Sequence, residues 1–255
     1  MPDPRTPEEK ATVLRRMKEW PVDGMGMHPG GSNYVFVLRL KPPEPEEAHL
    51  EDAGAEPLYT IYKPAAGERP LHDFPHGTLH LRERACFLIS EALGWPLLPP
   101  VVVREGPHGP GSVQLFIDHE TDQNYFTMRK DCLSLFAPVA AFDVMVHNAD
   151  RKGGAVLKGR DGRLWAIDNA LTFNPYARRR TVMFEFSQQP YPEGTVEAVK
   201  ALMPELGPGH ALGDELAGLL QPHELGLIQQ RAERMIKSGA HPRLDPEMNV
   251  PWPFV

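Results

Sequence analysis

One passage constrains this chain more than any other. An apolar stretch, Ser134–His147, runs straight into the polar, glycine-containing sequence His147-Asn-Ala-Asp-Arg-Lys-Gly-Gly154. A buried helix that empties into such a loop is a common way to present reactive groups at the edge of a core. Asp150 in that loop is placed to accept a proton from a hydroxyl, and Asn148 to orient the loop; a simple turn capped by Asp150 accounts for the same residues. Short strands are expected at 155–158 and 164–167 about an Asp161-Gly162 turn. The second ends in Trp165-Ala-Ile-Asp168-Asn169-Ala170, so Asp168 comes straight off an apolar strand 18 positions after Asp150. A carboxylate there suits Mg²⁺, a hard cation that prefers oxygen ligands; capping the strand-to-loop turn is its plainer use.

The N-terminal half reads differently. Residues 6–20 predict a helix, with Thr6 as N-cap, Pro7 at the first position and Glu9 completing a capping box. The glycine-rich Gly24-Met-Gly-Met-His-Pro-Gly-Gly31 and Ser32-Asn33 follow, then strands at Tyr34–Leu40 and Leu58–Tyr62. These two strands predict a hairpin with a long insertion, 42–57, that carries six acids and no Lys or Arg and reads as a solvated loop. Lys63 stands at the end of the second strand. A helix over Thr78–Leu93 carries Glu83 between Arg82 and Arg84, so the pair Lys63 and Glu83 is either a phosphate-binding lysine with its carboxylate partner or two solvated charges. Strands are expected at Val101–Arg104 and Ser112–Ile117, and helices at 195–203, 212–220 and 222–238. The tail from 240 is irregular.

Composition removes several classes. The net charge of −7 argues against a general nucleic-acid binder. Two cysteines exclude a disulfide scaffold and a four-cysteine zinc site. No apolar run reaches the length of a membrane span, and the charged N-terminus lacks a signal peptide's apolar stretch, so the expected compartment is the cytoplasm, without stable membrane association. His72, His76 and His80 are spaced by four, but Pro75 and Gly77 interrupt a helix there, which favours surface or loop packing over a metal site. Arg178-Arg-Arg180 reads as a solvated basic loop or as a grip for phosphate, an inositol headgroup or an anionic surface. The four tryptophans read as packing residues, and the apolar tail Val250–Val255 as a docking segment.

The segment NADRKGG…LWAIDNALTF resembles the catalytic and metal-binding loops of phosphatidylinositol 3- and 4-kinase-like proteins. It is similar also to HipA-type serine/threonine kinases, whose loop likewise begins Asn-x-Asp. Together with YKPAAGERPLHDFPHGTLHLRERA and LGWPLLPPVVVREGPHGPGSVQLF, it resembles a bacterial phosphatidylinositol 3- and 4-kinase-like family, from about residue 24 to 190. The resemblance implies a bilobal α+β, protein-kinase-like fold. Its N-terminal lobe would span 1–118 and its C-terminal lobe 119–255. It implies ATP and Mg²⁺ as cofactors. Lys63 would bind phosphate and Glu83 would pair with it; Ser32 and Asn33 would lie in the phosphate loop. Gln114, Leu115, Phe116 and Ile117 would form the interlobe hinge against adenine. Asp150 would be the catalytic carboxylate and Asp168 the metal ligand.

Two departures stand out. Ala155 occupies the place, five after Asp150, where the larger kinase families carry a metal-binding Asn and the nearest group a His; Ala has no ligand atom. The Asp-Phe-Gly pattern is replaced by Asp168-Asn169-Ala170, and Asn169 is a candidate to supply the missing oxygen. The expected activity is phosphoryl transfer to a protein side chain, the chain's own included, or to a small polyol. A nucleotide-binding pseudokinase acting through a partner is the alternative that Ala155 favours. Transfer of AMP, with ATP reversed in the same cleft, is the third.

Overall fold

The computed structural model describes residues 6–28, 34–44, 49–95 and 97–255. The chain divides into two compact units, Met1–Arg84 with Pro99–Asp118 and Ala85–Leu98 with His119–Val255.

In the first unit, helix α1 (Pro7–Glu19) begins as expected: the Thr6 hydroxyl accepts from the Glu9 amide while the Glu9 carboxylate accepts from the Thr6 amide. Its buried face, Val13 and Met17, lies near the sheet, where Arg104 donates to the carbonyls of Met17 and Trp20. Five antiparallel strands form that sheet: β1 (Val22–Met27), β2 (Phe36–Leu40), β3 (Leu58–Pro64), β4 (Val101–Gly106) and β5 (Gly109–Leu115), in the order β1-β2-β3-β5-β4. The expected hairpin is present, in register from Phe36 opposite Tyr62 to Leu40 opposite Leu58. Because side chains alternate along a strand, this register buries Phe36, Leu38, Leu40, Leu58, Thr60 and Tyr62 on one face and turns Lys63 to the other.

Two expectations for this unit change. Gly24-Met-Gly-Met does not form a loop; it is the C-terminal part of edge strand β1, whose ladder to β2 uses backbone groups that glycine supplies as well as any residue. The acidic insertion is not simply solvated. Leu50–Asp52 forms a short 3₁₀ turn that carries Asp52 into the unit, where it is 1% exposed. Asp52 accepts from Arg15 and Arg16, each at 2.8 Å, and from the Trp20 indole at 3.2 Å. Burial works against its charge, yet these donors hold the carboxyl down at about 2.

The division between the units passes through helix α2 (Leu79–Ala92). The second unit continues with α3 (Tyr125–Cys132), α4 (Ala137–Val146), the two-stranded β6 (Val156–Lys158) and β7 (Leu164–Ala166), and helices α5 (Thr195–Leu202), α6 (Ala211–Ala217) and α7 (Pro222–Ser238). Helix α3, absent from the sequence reading, is started by an Asn124–Thr127 capping box rather than by apolar periodicity. The expected helix over 134–147 is shorter at its start, because Leu133–Phe136 is a 3₁₀ turn and Pro138 belongs to the first turn of α4. Helix α4 is apolar and buried almost all round, contacting α7, which in turn contacts α5. No helix among the described residues is long and apolar enough to cross a membrane.

Candidate active site

The first unit contains a buried ion pair. Lys63 Nζ lies 2.7 Å from Glu83 Oε1, and Glu83 is 2% exposed while the lysine side chain keeps 21% of its surface. Local packing sets this up. Tyr62 donates its hydroxyl to the Gly109 carbonyl at 2.6 Å, laying its ring across the β4–β5 hairpin. A Cβ at Gly111 would sit 2.6 Å from both that ring and the Lys63 carbonyl, so glycine there lets β5 approach β3 at the lysine. The residues flanking Glu83 are not solvated either. Arg82 is 1% exposed and lies over the Phe74 ring, and Arg84 donates to the Val101 carbonyl at 2.6 Å. The start of α2 is held from a distance: Glu68, five residues after Lys63, accepts from the Leu79 and His80 amides and contacts the His80 ring. Ser32 and Asn33 lie outside the described residues. Gln114 and Leu115 end β5, the Phe116 amide donates to the Tyr59 carbonyl at 3.0 Å, and Ile117 is buried.

The second unit contains the loop that follows α4. His147 caps that helix in the left-handed conformation, φ 54°, with its Nε2 2.8 Å from the Ala177 carbonyl; burial lowers its pKa. Asn148 then orients the turn, donating to Asp143 Oδ1 at 3.0 Å and accepting from the Asp150 amide at 2.9 Å. Asp150 itself is left partly exposed. Its carboxylate faces Lys152 at 3.3 Å and Arg180 at 3.8 Å.

The residue that fixes this loop is one the sequence reading passed over. Arg151 is 0% exposed and uses every donor it has. Nε and Nη2 make a bidentate pair with Asp143, each at 2.9 Å; Nη1 donates to the Ala155 and Ile167 carbonyls; Nη2 donates also to Asn169 Oδ1 at 2.6 Å. One guanidinium thereby ties α4, the Asp150 loop and the Asp168 segment together. Against the cost of burial, Asp143 and Asp168 hold its pKa above the ordinary value. The available signal was Asp143, a lone acid in an otherwise apolar helix, since a buried carboxylate requires a cation.

Asp168 leaves β7 at φ 54° and is exposed. A non-glycine residue in that region is uncommon, and Asp is among those that tolerate it best. Asn169, the candidate oxygen donor, is wholly buried, with Oδ1 engaged by Arg151 and Nδ2 donating to the Ala166 carbonyl. Ala155 is 4% exposed, and its carbonyl accepts from Arg151 and from the Ile167 amide. Among the described residues, no group of three or more His, Cys, Asp or Glu is placed to hold a metal. The donor set that remains is one accessible carboxylate, Asp168. It fits a divalent ion that takes its other ligands from water and from phosphate oxygens.

The basic run Arg178–Arg180 splits three ways. Arg178 is exposed and meets Met248 Sδ at 3.6 Å, Arg179 turns inward, and Arg180 faces Asp150. Backbone bonds from the Arg151 amide to the Arg180 carbonyl and from the Val182 amide to the Arg151 carbonyl hold this segment beside the loop. His72 and His76 are exposed, and His80 is buried against Glu68. The tail docks as expected, the Gly153 amide donating to the Phe254 carbonyl at 2.7 Å; Trp252, read as a packing residue, is 81% exposed.

Solved kinases share this architecture. The crystal structure of the Golgi casein kinase with Mn/ADP bound has a TM-score of 0.55 and 13% identity, covering 92% of this chain and 76% of that one. The Helicobacter pylori proinflammatory kinase CtkA has a TM-score of 0.51 and 10% identity, covering 88% of this chain and 95% of that one. The fold is therefore kinase-like, α+β, with a sheet-rich N-terminal part and a helical C-terminal part. No protein-family model matches the chain. It is 31% identical over 236 residues to protein Rv2133c of Mycobacterium tuberculosis, covering 78% of this chain and 84% of that protein. The chain belongs to the same family as that protein.

Proposed function

We propose that this protein is an ATP- and Mg²⁺-dependent phosphotransferase. The observation that carries the reading is the 2.7 Å pair between Lys63 on a strand and the buried Glu83 on the following helix. A buried carboxylate holds the lysine in place while part of its side chain stays accessible, which is what a group meant for phosphate oxygens requires. Lys63 takes the nucleotide's phosphates. Asp150 accepts the hydrogen bond, and then the proton, of the acceptor hydroxyl as its oxygen bonds to phosphorus and ADP leaves. Asp168 holds the divalent ion, which supplies charge neutralisation to the phosphates when bound. Asn169 serves by locking Arg151 in place. Phosphoryl transfer depends mainly on such positioning and charge, so this short set of groups is sufficient.

The motif likeness to phosphatidylinositol 3- and 4-kinase-like proteins and to HipA-type kinases supports a kinase whose acceptor is a protein side chain or a small polyol, and the proposed compartment is the cytoplasm. A second reading has its own support. The buried, ligandless Ala155 and the engaged Asn169 supply no second ligand atom for a metal at Asp168, which suits a pseudokinase that binds nucleotide and acts through a partner. One experiment separates the two. The parent and Asp150→Asn are incubated with Mg-ATP, with and without candidate polyols; intact mass and ADP release are measured, and nucleotide affinity is measured separately. The kinase reading expects phosphate on the chain or the polyol, reduced about 10²–10⁴-fold by Asp150→Asn at unchanged nucleotide affinity. Nucleotide binding with no turnover in either form establishes the pseudokinase, and an adduct of AMP mass establishes nucleotide transfer.

A further inference from the structure

The second unit contains a cavity of about 940 Å³ that the candidate active site does not use. It lies between the end of α4, the segment through Arg179, helix α7 and the stretch after it. Its charge is one-sided. Five of its lining residues are Arg or Lys and, among the described residues that line it, none is acidic. This is unexpected in a chain of net charge −7. Like charges gathered in one pocket repel one another, and a fold keeps them there at a loss unless an anion comes to them.

Two of the lining groups are incompletely satisfied. Arg231 is 7% exposed; its Nε donates to the Met145 carbonyl at 2.8 Å, which fixes the guanidinium against the end of α4, yet its Nη2 is buried with no hydrogen-bond partner. His241 is 6% exposed and packed against Tyr191, and its Nε2 is likewise buried without a partner. Buried donors are satisfied almost everywhere in folded proteins, so the Arg231 Nη2 orphan on this cavity points to a missing acceptor, and His241 Nε2 beside it donates to the same group in the tautomer that protonates it. Burial and the neighbouring Arg234 lower Arg231 to about 10, against a smaller opposing pull from Glu224, and burial and Arg179 lower His241 to about 4, so the imidazole there is neutral. Exposed Arg234 and Lys237 stand on the same helix at the rim.

We infer that this cavity binds a small soluble molecule carrying two or more phosphate groups on a carbon skeleton. Arginine forks match phosphate oxygens, the volume exceeds what inorganic phosphate fills, and Val144, Leu227 and Met235 offer apolar wall to a ring or chain. A bound anion is coupled to the Asp150 loop through Arg179, which feels the Asp143 carboxylate and precedes Arg180. The inference does not rest on phosphotransfer, and its test does not use it.

The probe is myo-inositol hexakisphosphate, titrated by calorimetry at physiological salt without Mg²⁺ or nucleotide. Expected is one-to-one binding at micromolar or tighter Kd, weakened at least tenfold by Arg234→Ala with Lys237→Ala. Arg231→Gln keeps a donor for the Met145 carbonyl and is expected to weaken binding by a similar factor. Lys63→Ala binds like the parent. So does Lys130→Ala with Arg160→Ala, which removes the same charge elsewhere in the unit. Circular dichroism confirms that each variant is folded. The proposal is overturned if the parent does not bind, if the pocket variants bind normally, or if Lys63→Ala or the distant pair weakens binding as much. Vesicles of phosphatidylcholine with phosphatidylinositol bisphosphate form a second arm, and their binding in place of the soluble probe overturns the assignment to a free molecule.

Discussion

Arg151 and Arg231 are both buried in the second unit, and the protein treats them in opposite ways. Around Arg151, two carboxylate oxygens, two carbonyls and an amide oxygen take all five N–H donors, and its pKa is raised. Around Arg231 one carbonyl takes Nε, Nη2 has nothing, and the pKa is lowered. Burial alone thus does not tell the two apart. An arginine whose donors are exhausted can only hold the fold. An arginine with donors to spare, beside other cations and empty volume, is held ready for something outside the chain. Asp150 and Lys63 follow the same logic on a smaller scale: each keeps accessible surface while its neighbours are locked.

The largest test of this contrast is Arg151→Ala. It leaves Asp143 buried beside the polar ends of the loop, and removal of one partner from such a pair typically costs about 3–5 kcal/mol. Urea unfolding measures it. Arg151→Lys should recover little, because an ammonium cannot reproduce the fork. A loss under about 1 kcal/mol would show that the Arg151 network is not what holds the loop.

The next effect is a pH dependence centred on His241. The folded chain keeps this imidazole neutral down to about 4, by burial and by the nearby Arg179, whereas the unfolded chain protonates it near 6.5. Unfolding therefore takes up a proton between those values. Stability falls as pH drops through the window, by roughly 1–3 kcal/mol. Thermal melts from pH 7 to pH 4 should show a shallower fall in His241→Phe; an unchanged slope would place the titration elsewhere. His147, also lowered by burial, adds a smaller slope that both proteins share.

Smallest should be Arg231→Met. Loss of the bond to the Met145 carbonyl is opposed by relief of an unpartnered buried charge, so stability should change by no more than about 1 kcal/mol. If it instead falls as far as in Arg151→Ala, the two arginines are alike and the contrast fails.

What could be read from the sequence followed locality. The Thr6–Glu9 box, the β2–β3 hairpin and the limits of α7 depend on spacing or on alternation, and each appears where expected. The Lys63–Glu83 pair, 20 positions apart, is one of two readings of the sequence and leans on the family resemblance, not on locality. Helix α3 and strand β1 were invisible because one begins with a side-chain cap in a weakly patterned segment and the other pairs through its backbone. Asp52 and Arg151 escaped for a different reason. Their neighbours in sequence are acids or loop residues, and their partners lie 32 to 37 and 4 to 18 positions away. Charge in a one-dimensional string is read as solvated unless its partner is nearby, and long-range pairing breaks that habit. The basic cavity was half legible: Arg178–Arg180 was noticed, but only folding sends Arg179 inward to join α7.

The backbone at Asp168 has a consequence for laboratory evolution. Its φ of 54° is one that glycine adopts freely and that costs most other residues about 1 kcal/mol or more. At this position the route to an easier chain and the route to a carboxylate diverge. A library enriched only for heat resistance has a reason to exchange Asp168 for glycine and would drift towards sturdier proteins with no anionic group at the end of β7. If the carboxylate serves the chemistry proposed above, only selection that also asks for that chemistry keeps it there.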